Sequence, residues 1–328
     1  MIPLEFIPPK SAYYSIQKST AIPADQEFAI QLAKVQLLEW KFSGVNYILQ
    51  QAYNTEGSFV VFLTVQISDY TIIKVKCNRA ITVFQYTIKG NSFGYLKGHG
   101  CLPLFHDTYT LQYIPEGAHQ VLFAPGTFHY LYLDPGPAIT SLSSVDEGIK
   151  KVLLGLNDFQ EAGSLAERLP FDQKVLFLIS KLKSLAPDNV YSPFTIRTII
   201  NEFVLHYYEQ LHYEKSNPEG TKLIAELNAF IANNIELPVP ELITRIKKLF
   251  FISGKHLRTQ WKKIDLKNLR DSFNQLRMHF ALYLLVIEKL TISEVAHRLN
   301  YADQYNFSKL FSRFYKVSPK MAKTLVKI

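Results

Sequence analysis

The chain reads as an α+β multidomain protein, β-rich at its amino-terminal end, helical in the middle, and all-α at its carboxy-terminal end, where two bihelical units flank one long helix. Three observations predict this. The length of 328 residues is about twice that of one typical domain. The residue pattern changes from strand-like clusters to helical spacing near residue 146. Charge is unevenly placed: from Ala225 onward there are 18 Lys and Arg against 8 Asp and Glu, a net +10, whereas residues 1–224 hold 18 against 20, a net −2. That asymmetry points to a polyanion-binding module joined to a part with a different task. The expected divisions are 1–145, 146–220 and 221–328.

Composition is that of a globular chain, with 48% apolar and 20% charged residues, which excludes disordered and collagen-like classes. Cys77 and Cys101 are the only cysteines and sit in no metal or redox spacing, so a reducing, cytoplasmic setting is expected. Residues 1–10 lack the basic and apolar regions of a secretory signal. The longest apolar-rich stretches, 59–67 and 279–287, fall short of the ~18 residues of a spanning helix, so no membrane partner is expected.

From about residue 28 to 142, clusters of Phe, Tyr, Val, Ile and Thr predict strands at 59–67, 70–77, 81–88, 109–114, 120–123 and 128–133. Between them lie Lys89-Gly90-Asn91, Pro115-Glu116-Gly117, Pro125-Gly126 and Asp134-Pro135-Gly136, where Gly supplies positive φ and Pro fixes its own. Short strands at this spacing build a sandwich or small barrel. The pattern turns helical over 146–213. Ser192-Pro193 forms an N-cap and first-turn pair. Behind it Ile196, Ile199, Ile200, Phe203, Val204, Tyr207 and Leu211 make one apolar stripe, to be buried against the strands or against a second subunit. Residues 214–221, polar and containing Pro218 and Gly220, read as a linker.

The stretch 291–321 is the most informative. Thr291 and Glu294 fit a capping box that starts a helix, whose buried face is Ile292, Val295, Ala296 and Leu299. Asn300 tolerates the left-handed backbone that ends it, and Asp303 caps the next helix. That helix is expected to bury Phe307, Leu310, Phe311 and Phe314, and to present Gln304, Tyr305, Asn306, Ser308, Lys309, Ser312 and Arg313. Helix, tight turn and helix with an outward face of amides, hydroxyls and cations describe a helix-turn-helix suited to base edges and phosphates. No acid follows Asp303.

A second, weaker copy lies upstream. Leu242, Ile243, Ile246, Leu249 and Phe250 make one apolar face, Ser253 is an N-cap, and Leu257 and Trp261 face inward on the next helix. Its outward residues are Lys255, His256, Arg258, Thr259 and Lys262. Between the copies, the 22 residues of 266–287 continue a helical pattern free of Gly and Pro. At 1.5 Å per residue they reach roughly 33 Å, close to the ~34 Å between successive major grooves.

On these residues the segment 225–321 resembles the AraC/XylS family of bacterial transcription regulators. The family's linker-helix pattern corresponds to Arg277, Ala281, Leu284 and Leu285; its second-unit pattern corresponds to Ile292, Ala296, Tyr301, Phe307-Ser308-Lys309, Phe311, Arg313 and Ser318-Pro319. Asn300, Lys316 and Phe251 stand where the family usually has Gly, Lys247 where it has a small Ala, and Ala322-Lys323 where it often has Tyr-Arg. The resemblance implies a cupin-like sensor domain at the amino-terminal end and a helical dimerisation segment. It implies promoter DNA, a second copy, a small-molecule effector and RNA polymerase as partners. From their outward placement, Gln304, Tyr305, Ser308 and Lys309 are expected to read bases, with Arg313 and Lys316 on phosphates.

His99, His106, His119 and His129 raise a metal hypothesis, but no HxH with a trailing Glu is present, so no metal and no cofactor are expected. Tyr86, Tyr95 and His106 are the candidates for an aromatic effector pocket on inward barrel positions. An enzyme of the cupin type would need a metal or acid/base pair that the sequence does not display. A purely architectural DNA binder would discriminate sites no better than ~10-fold, against 10³ or more for a regulator.

Overall fold

β-Branched and aromatic runs form extended strands because such side chains pack well on a pleated, half-buried surface. The computed structural model describes residues 3–7, 9, 15–19, 35–42, 46–55, 57–142, 146–185, 192–212, 221–262 and 268–326. These fall into two units, Met1–Glu214 and Lys215–Lys327. The first unit contains strands β1 (Leu4–Ile7), β2 (Ser15–Ser19), β3 (Gln36–Phe42), β4 (Asn46–Thr55), β5 (Ser58–Ile67), β6 (Thr71–Cys77) and β7 (Ile81–Lys89). It continues with β8 (Ser92–Leu96), β9 (Gly100–Leu104), β10 (Thr108–Ile114), β11 (Gly117–Phe123), β12 (Gly126–Leu133) and β13 (Ser164–Pro170). Antiparallel pairing gives one sheet ordered β13-β10-β7-β12-β5-β4-β3-β2 and another ordered β1-β6-β11-β8-β9.

Alternate residues of these strands meet in one core: Phe59, Val61, Leu63, Val65 and Ile67 of β5, Ile81 and Val83 of β7, Val121 and Phe123 of β11. A one-residue slip would turn each set outward, so burial itself holds the register. The six strands expected from sequence lie at β5, β6, β7, β10, β11 and β12, and Gly90, Gly117, Gly126 and Gly136 in the intervening turns all take positive φ. β4, β8 and β9 were not among the expected runs.

Helices cover the other face of the larger sheet. α1 (Glu147–Asn157) and α2 (Gln173–Lys183) are capped by Asp146 and Asp172, whose carboxylates accept from the Ile149 and Val175 amides at 2.8 and 2.9 Å. β13 lies between them, in a region whose spacing had pointed to helix. Its Glu167 and Arg168 hide the alternation, and β10 captures it as an edge strand with a register shift at Thr110/Gln112. α3 (Ser192–Leu211) carries the expected stripe. Ile196, Ile199, Ile200, Phe203, Val204 and Tyr207 are buried, each worth about 1.5–3 kcal/mol relative to exposure. The stripe meets the strands: Phe203 lies 5.1 Å from Tyr86, and Tyr207 lies 5.0 Å from Phe84, ring centre to ring centre. Of the expected linker, 214–220 lie outside the described residues; Thr221 opens the next helix.

The second unit is helical: α4 (Thr221–Asn233), α5 (Val239–Leu249), α6 (Gly254–Trp261), α7 (Leu269–Val286), α8 (Ile292–Arg298) and α9 (Gln304–Tyr315), then a 3₁₀ turn, Pro319–Leu325. α7 is its core, buried at Leu269, Ser272, Phe273, Arg277, Met278 and from Phe280 through Val286. The expected strut is shorter than its pattern: 18 helical residues reach roughly 27 Å, because Asn268 caps the helix and Ile287 ends it. Leu266 lies outside the described residues. No helix among the described residues is long and apolar enough to cross a membrane.

Candidate nucleic-acid interface

Capping fixes where both outward-facing helices begin. The Asp303 carboxylate accepts from the Asn306 amide at 2.7 Å at the start of α9, and the Ser253 hydroxyl accepts from the His256 amide at 3.1 Å at the start of α6. Thr291 and Glu294 form the full capping box at α8, each side chain bonded to the other's backbone amide. These bonds satisfy donors that a helix start otherwise leaves open.

Packing then decides which face looks out. On α9, Phe307, Phe311 and Tyr315 are buried in a stepwise aromatic row, with centroids 5.7 and 4.6 Å apart, and the Tyr315 hydroxyl donates to the Met278 carbonyl at 3.1 Å. This corrects the expected face: Phe314 is exposed, Leu310 is half-buried and Tyr315 takes the inner place, because the i, i+4, i+8 line rather than the i+3 step faces α7. Gln304, Tyr305, Asn306, Lys309, Arg313 and Lys316 are exposed, Tyr305 at 71%; Ser308 and Ser312 are half-buried. The Asn306 amide already donates to Asp303 at 3.1 Å.

On α6, Leu257 and Trp261 are buried as expected, the Trp261 indole donating to Ser272 at 3.1 Å, while Lys255, His256, Arg258, Thr259 and Lys262 are exposed. The Thr259 hydroxyl donates to the Lys255 carbonyl at 3.0 Å. On α5, Leu242, Ile246 and Phe250 are buried, Ile243 is half-buried, and Leu249 stands exposed against expectation.

Among the described residues, Lys255, Arg258, Lys262, Lys309, Arg313 and Lys316 enter no ion pair. Two cations off these faces are paired: Arg245 with Glu241 at 2.6 Å, and Arg298 with Glu236 at 2.8 Å and Glu288 at 2.6 Å. Both outward faces therefore hold open donors and uncompensated charge. Lys320 and Lys323 add exposed cations just beyond α9. The acid-free tail was the signal that pointed to them.

The motif residue Arg277 works from inside. It is buried, donates to the Leu299 carbonyl at the end of α8, and lies 5.3 Å over the Tyr301 ring. Burial lowers its guanidinium pKa and Tyr301 partly opposes that. One side chain thus ties α7 to the turn before α9.

At the three positions where glycine is usual in the resembled pattern, the backbone is left-handed: Phe251 has φ 51°, Asn300 has φ 55° and Lys316 has φ 63°. Asn adopts this readily, whereas a Cβ-bearing Phe or Lys pays about 1–2 kcal/mol. Lys247 points into solvent, where its size is harmless.

The expected effector residues are not brought together on the inner face of the sandwich. Tyr86 faces α3, stacked on Tyr109 with centroids 4.8 Å apart. The hydroxyls of both tyrosines are buried without a hydrogen-bond partner among the described residues, and burial raises both phenol pKa values. Tyr95 alternates with the core residue Leu96 and so lies on the opposite face of β8; His106 sits in the turn between β9 and β10, 3.0 Å from Asp107. No three His, Cys, Asp or Glu among the described residues converge as a metal site would require.

No protein-family model matches the chain, and no curated protein matches it in sequence. Solved structures match parts of it. They include the AraC-like transcriptional activator CuxR, 10% identical over 72% of this chain and 81% of that one, with a TM-score of 0.34. ToxT from Vibrio cholerae is 11% identical over 81% and 98%, with a TM-score of 0.29. The C-terminal domain of the response regulator YesN from Fusobacterium nucleatum subsp. nucleatum is 25% identical over 24% and 78%, with a TM-score of 0.23.

Proposed function

We propose that this chain is a sequence-specific DNA-binding transcription regulator of the AraC/XylS type, acting in the cytoplasm and not as an enzyme. Its α5–α6 and α8–α9 pairs serve as two helix-turn-helix readers. The observation that carries this is the pair of exposed faces on α6 and α9, whose six cations enter no ion pair among the described residues. In this reading Gln304, Tyr305, Ser308 and Lys309 contact bases, and Arg313 and Lys316 contact phosphates. Lys255, His256, Arg258, Thr259 and Lys262 do corresponding work from the first reader.

The first unit acts as the sensor and dimerisation part. In support of a second copy as partner, Leu176 and Phe177 of α2 and Phe194 and Leu205 of α3 are exposed apolar side chains on two packed helices. A small-molecule effector would then shift the oligomeric equilibrium.

Selection of bound duplexes from random DNA by the full chain tests this. A preferred site bound 10³-fold or more over random sequence is expected. Preference below about tenfold would leave only an architectural role. Within the preferred site, Gln304→Ala should cost ~1–3 kcal/mol and relax preference at one position. Unchanged affinity for every site would refute its assignment.

A further inference from the structure

The first unit contains a cleft of about 870 Å³ that the DNA-binding reading does not use. It opens where four chain segments gather. Arg79 comes from the turn between β6 and β7, Lys97 from the turn between β8 and β9, Glu116 from the turn between β10 and β11, and Phe159 and Glu161 from the segment after α1.

The frame of this cleft is fixed by buried bonds. His119 lies beneath it, its Nδ1 accepting from the Lys97 amide at 3.2 Å and its Nε2 donating to the Pro115 carbonyl at 3.0 Å. Tyr113 donates its hydroxyl to the Gln160 carbonyl at 2.7 Å, and the Gly163 amide donates to the Lys97 carbonyl at 2.8 Å. Close packing adds to this: a Cβ on Gly98 would stand 2.5 Å from Ala162, and one on Gly163 would stand 2.4 Å from the Leu96 side chain. The segments cannot slide apart or together without breaking these contacts.

The lining is the reverse of the frame. Arg79, Lys97, Glu116 and Glu161 enter no ion pair among the described residues. Phe159 is 78% exposed and has φ 49°. A bulky residue in the left-handed region costs about 1–2 kcal/mol, and an exposed ring recovers almost none of it by burial. This left-handed residue closes the carboxy-terminal end of α1, where the Gln160 amide donates to the Gly155 carbonyl at 3.0 Å, and so leaves the ring outside the core. The same ring on the rim of a preformed cleft is an apolar platform awaiting a ligand.

Two cations and two carboxylates around one exposed ring fit neither a simple anion nor a simple cation, since each would meet like charge. We propose that the cleft binds a short zwitterionic peptide. Arg79 and Lys97 take its carboxylate, Glu116 and Glu161 take its ammonium, and an apolar side chain rests on Phe159. The volume lies toward the upper end of the ~300–1,000 Å³ of small-ligand sites, which favours a peptide over a single amino acid.

Calorimetry on the full chain, without DNA, tests this independently of the regulator reading. The probes are phenylalanyl-leucine, its extension phenylalanyl-leucyl-alanine, and the same peptides acetylated and amidated to remove both charges. The free peptides should bind with Kd below ~1 mM, and the blocked forms at least about tenfold more weakly. Arg79→Ala and Glu161→Gln should each weaken binding about tenfold. Phe159→Gly should weaken binding while raising Tm, because glycine accepts the left-handed backbone; a ring with only a structural role would not give these opposite signs. The proposal is overturned if neither free peptide binds at millimolar concentration, if blocked and free forms bind alike, or if Phe159→Gly binds as well as the parent chain.

Discussion

The two bihelical pairs of the second unit do the same geometric job with very different support. α8–α9 begins with a complete capping box and is tied to α7 through Arg277, Tyr315 and the aromatic row, while Arg298 bridges Glu236 and Glu288. Its turn residue is Asn300, which tolerates the left-handed backbone. α5–α6 begins at Pro238 with no side-chain cap, exposes Leu249, and turns through Phe251, which is 85% exposed in a left-handed conformation. One pair is over-determined, and the other is held by Leu242, Ile246, Leu257 and Trp261 with the Ser253 cap and the Trp261–Ser272 bond. A rigid face pre-pays the ordering that binding demands, so base discrimination should be concentrated in α9, with α6 supplying mainly charge.

The largest expected break comes from removing the cations of α9. The combined change Lys309→Ala, Arg313→Ala and Lys316→Ala should weaken binding roughly tenfold or more per contact, and lower the salt slope of log K by about 1.8 for the two phosphate contacts. A filter-binding series from low to moderate salt reads both quantities. The matching change on α6, Lys255→Ala, Arg258→Ala and Lys262→Ala, should lower the slope alike but leave site preference nearly intact; equal loss of preference would erase the distinction.

Next in size is Arg277→Leu, which leaves the Leu299 carbonyl buried without its donor. It should cost about 1–3 kcal/mol in urea unfolding and remove footprint protection at the α9 half-site before the α6 half-site. Symmetric loss of both half-sites would show that α7 holds the two pairs equally.

The turn residues sharpen the contrast further. Phe251→Gly should raise stability by about 1 kcal/mol, whereas Asn300→Gly should change it by only a few tenths. Thermal unfolding checks both, and equal gains would contradict the argument from side-chain type.

The smallest expected effect lies in the first unit and concerns pH. Burial lowers the pKa of His119 below its ordinary 6.5, and its Nδ1 must stay unprotonated to accept from Lys97. The unfolded chain therefore binds the proton more readily, and this contribution to stability, complete above ~6.5, is lost as pH falls below it. Burial raises Asp134 to about 6, which works the other way: the folded chain takes up that proton first, and gains stability as pH falls from about 6 toward 4. Replacement His119→Gln should flatten the loss as pH falls below about 6.5 in a melting series. An unchanged slope would remove His119 as its source.

The legible parts were those where local chemistry and burial agree. The capping signals at Ser253, Thr291 and Asp303, the α3 stripe, and the strands rich in Val, Ile and Tyr all formed as their spacing predicted. β13 was hidden because charged residues on an edge strand cost little, so Glu167 and Arg168 mask its alternation. The inner place of Tyr315 over Phe314 was hidden because both are aromatic and adjacent, and only the position of α7 chooses between them.

Residue order alone determined where α6, α8 and α9 start, that the chain turns left-handed at Asn300, and that the carboxy-terminal third would carry unbalanced positive charge, since each depends on neighbours within a few residues. Tertiary structure alone decided which face of β7 and β8 carries Tyr86 and Tyr95, which cations remain unpaired, and that Arg79, Lys97, Glu116, Phe159 and Glu161 share one cleft. Those outcomes depend on which distant segments pack together, and burial energy summed over the whole core, rather than any local preference, selects that arrangement.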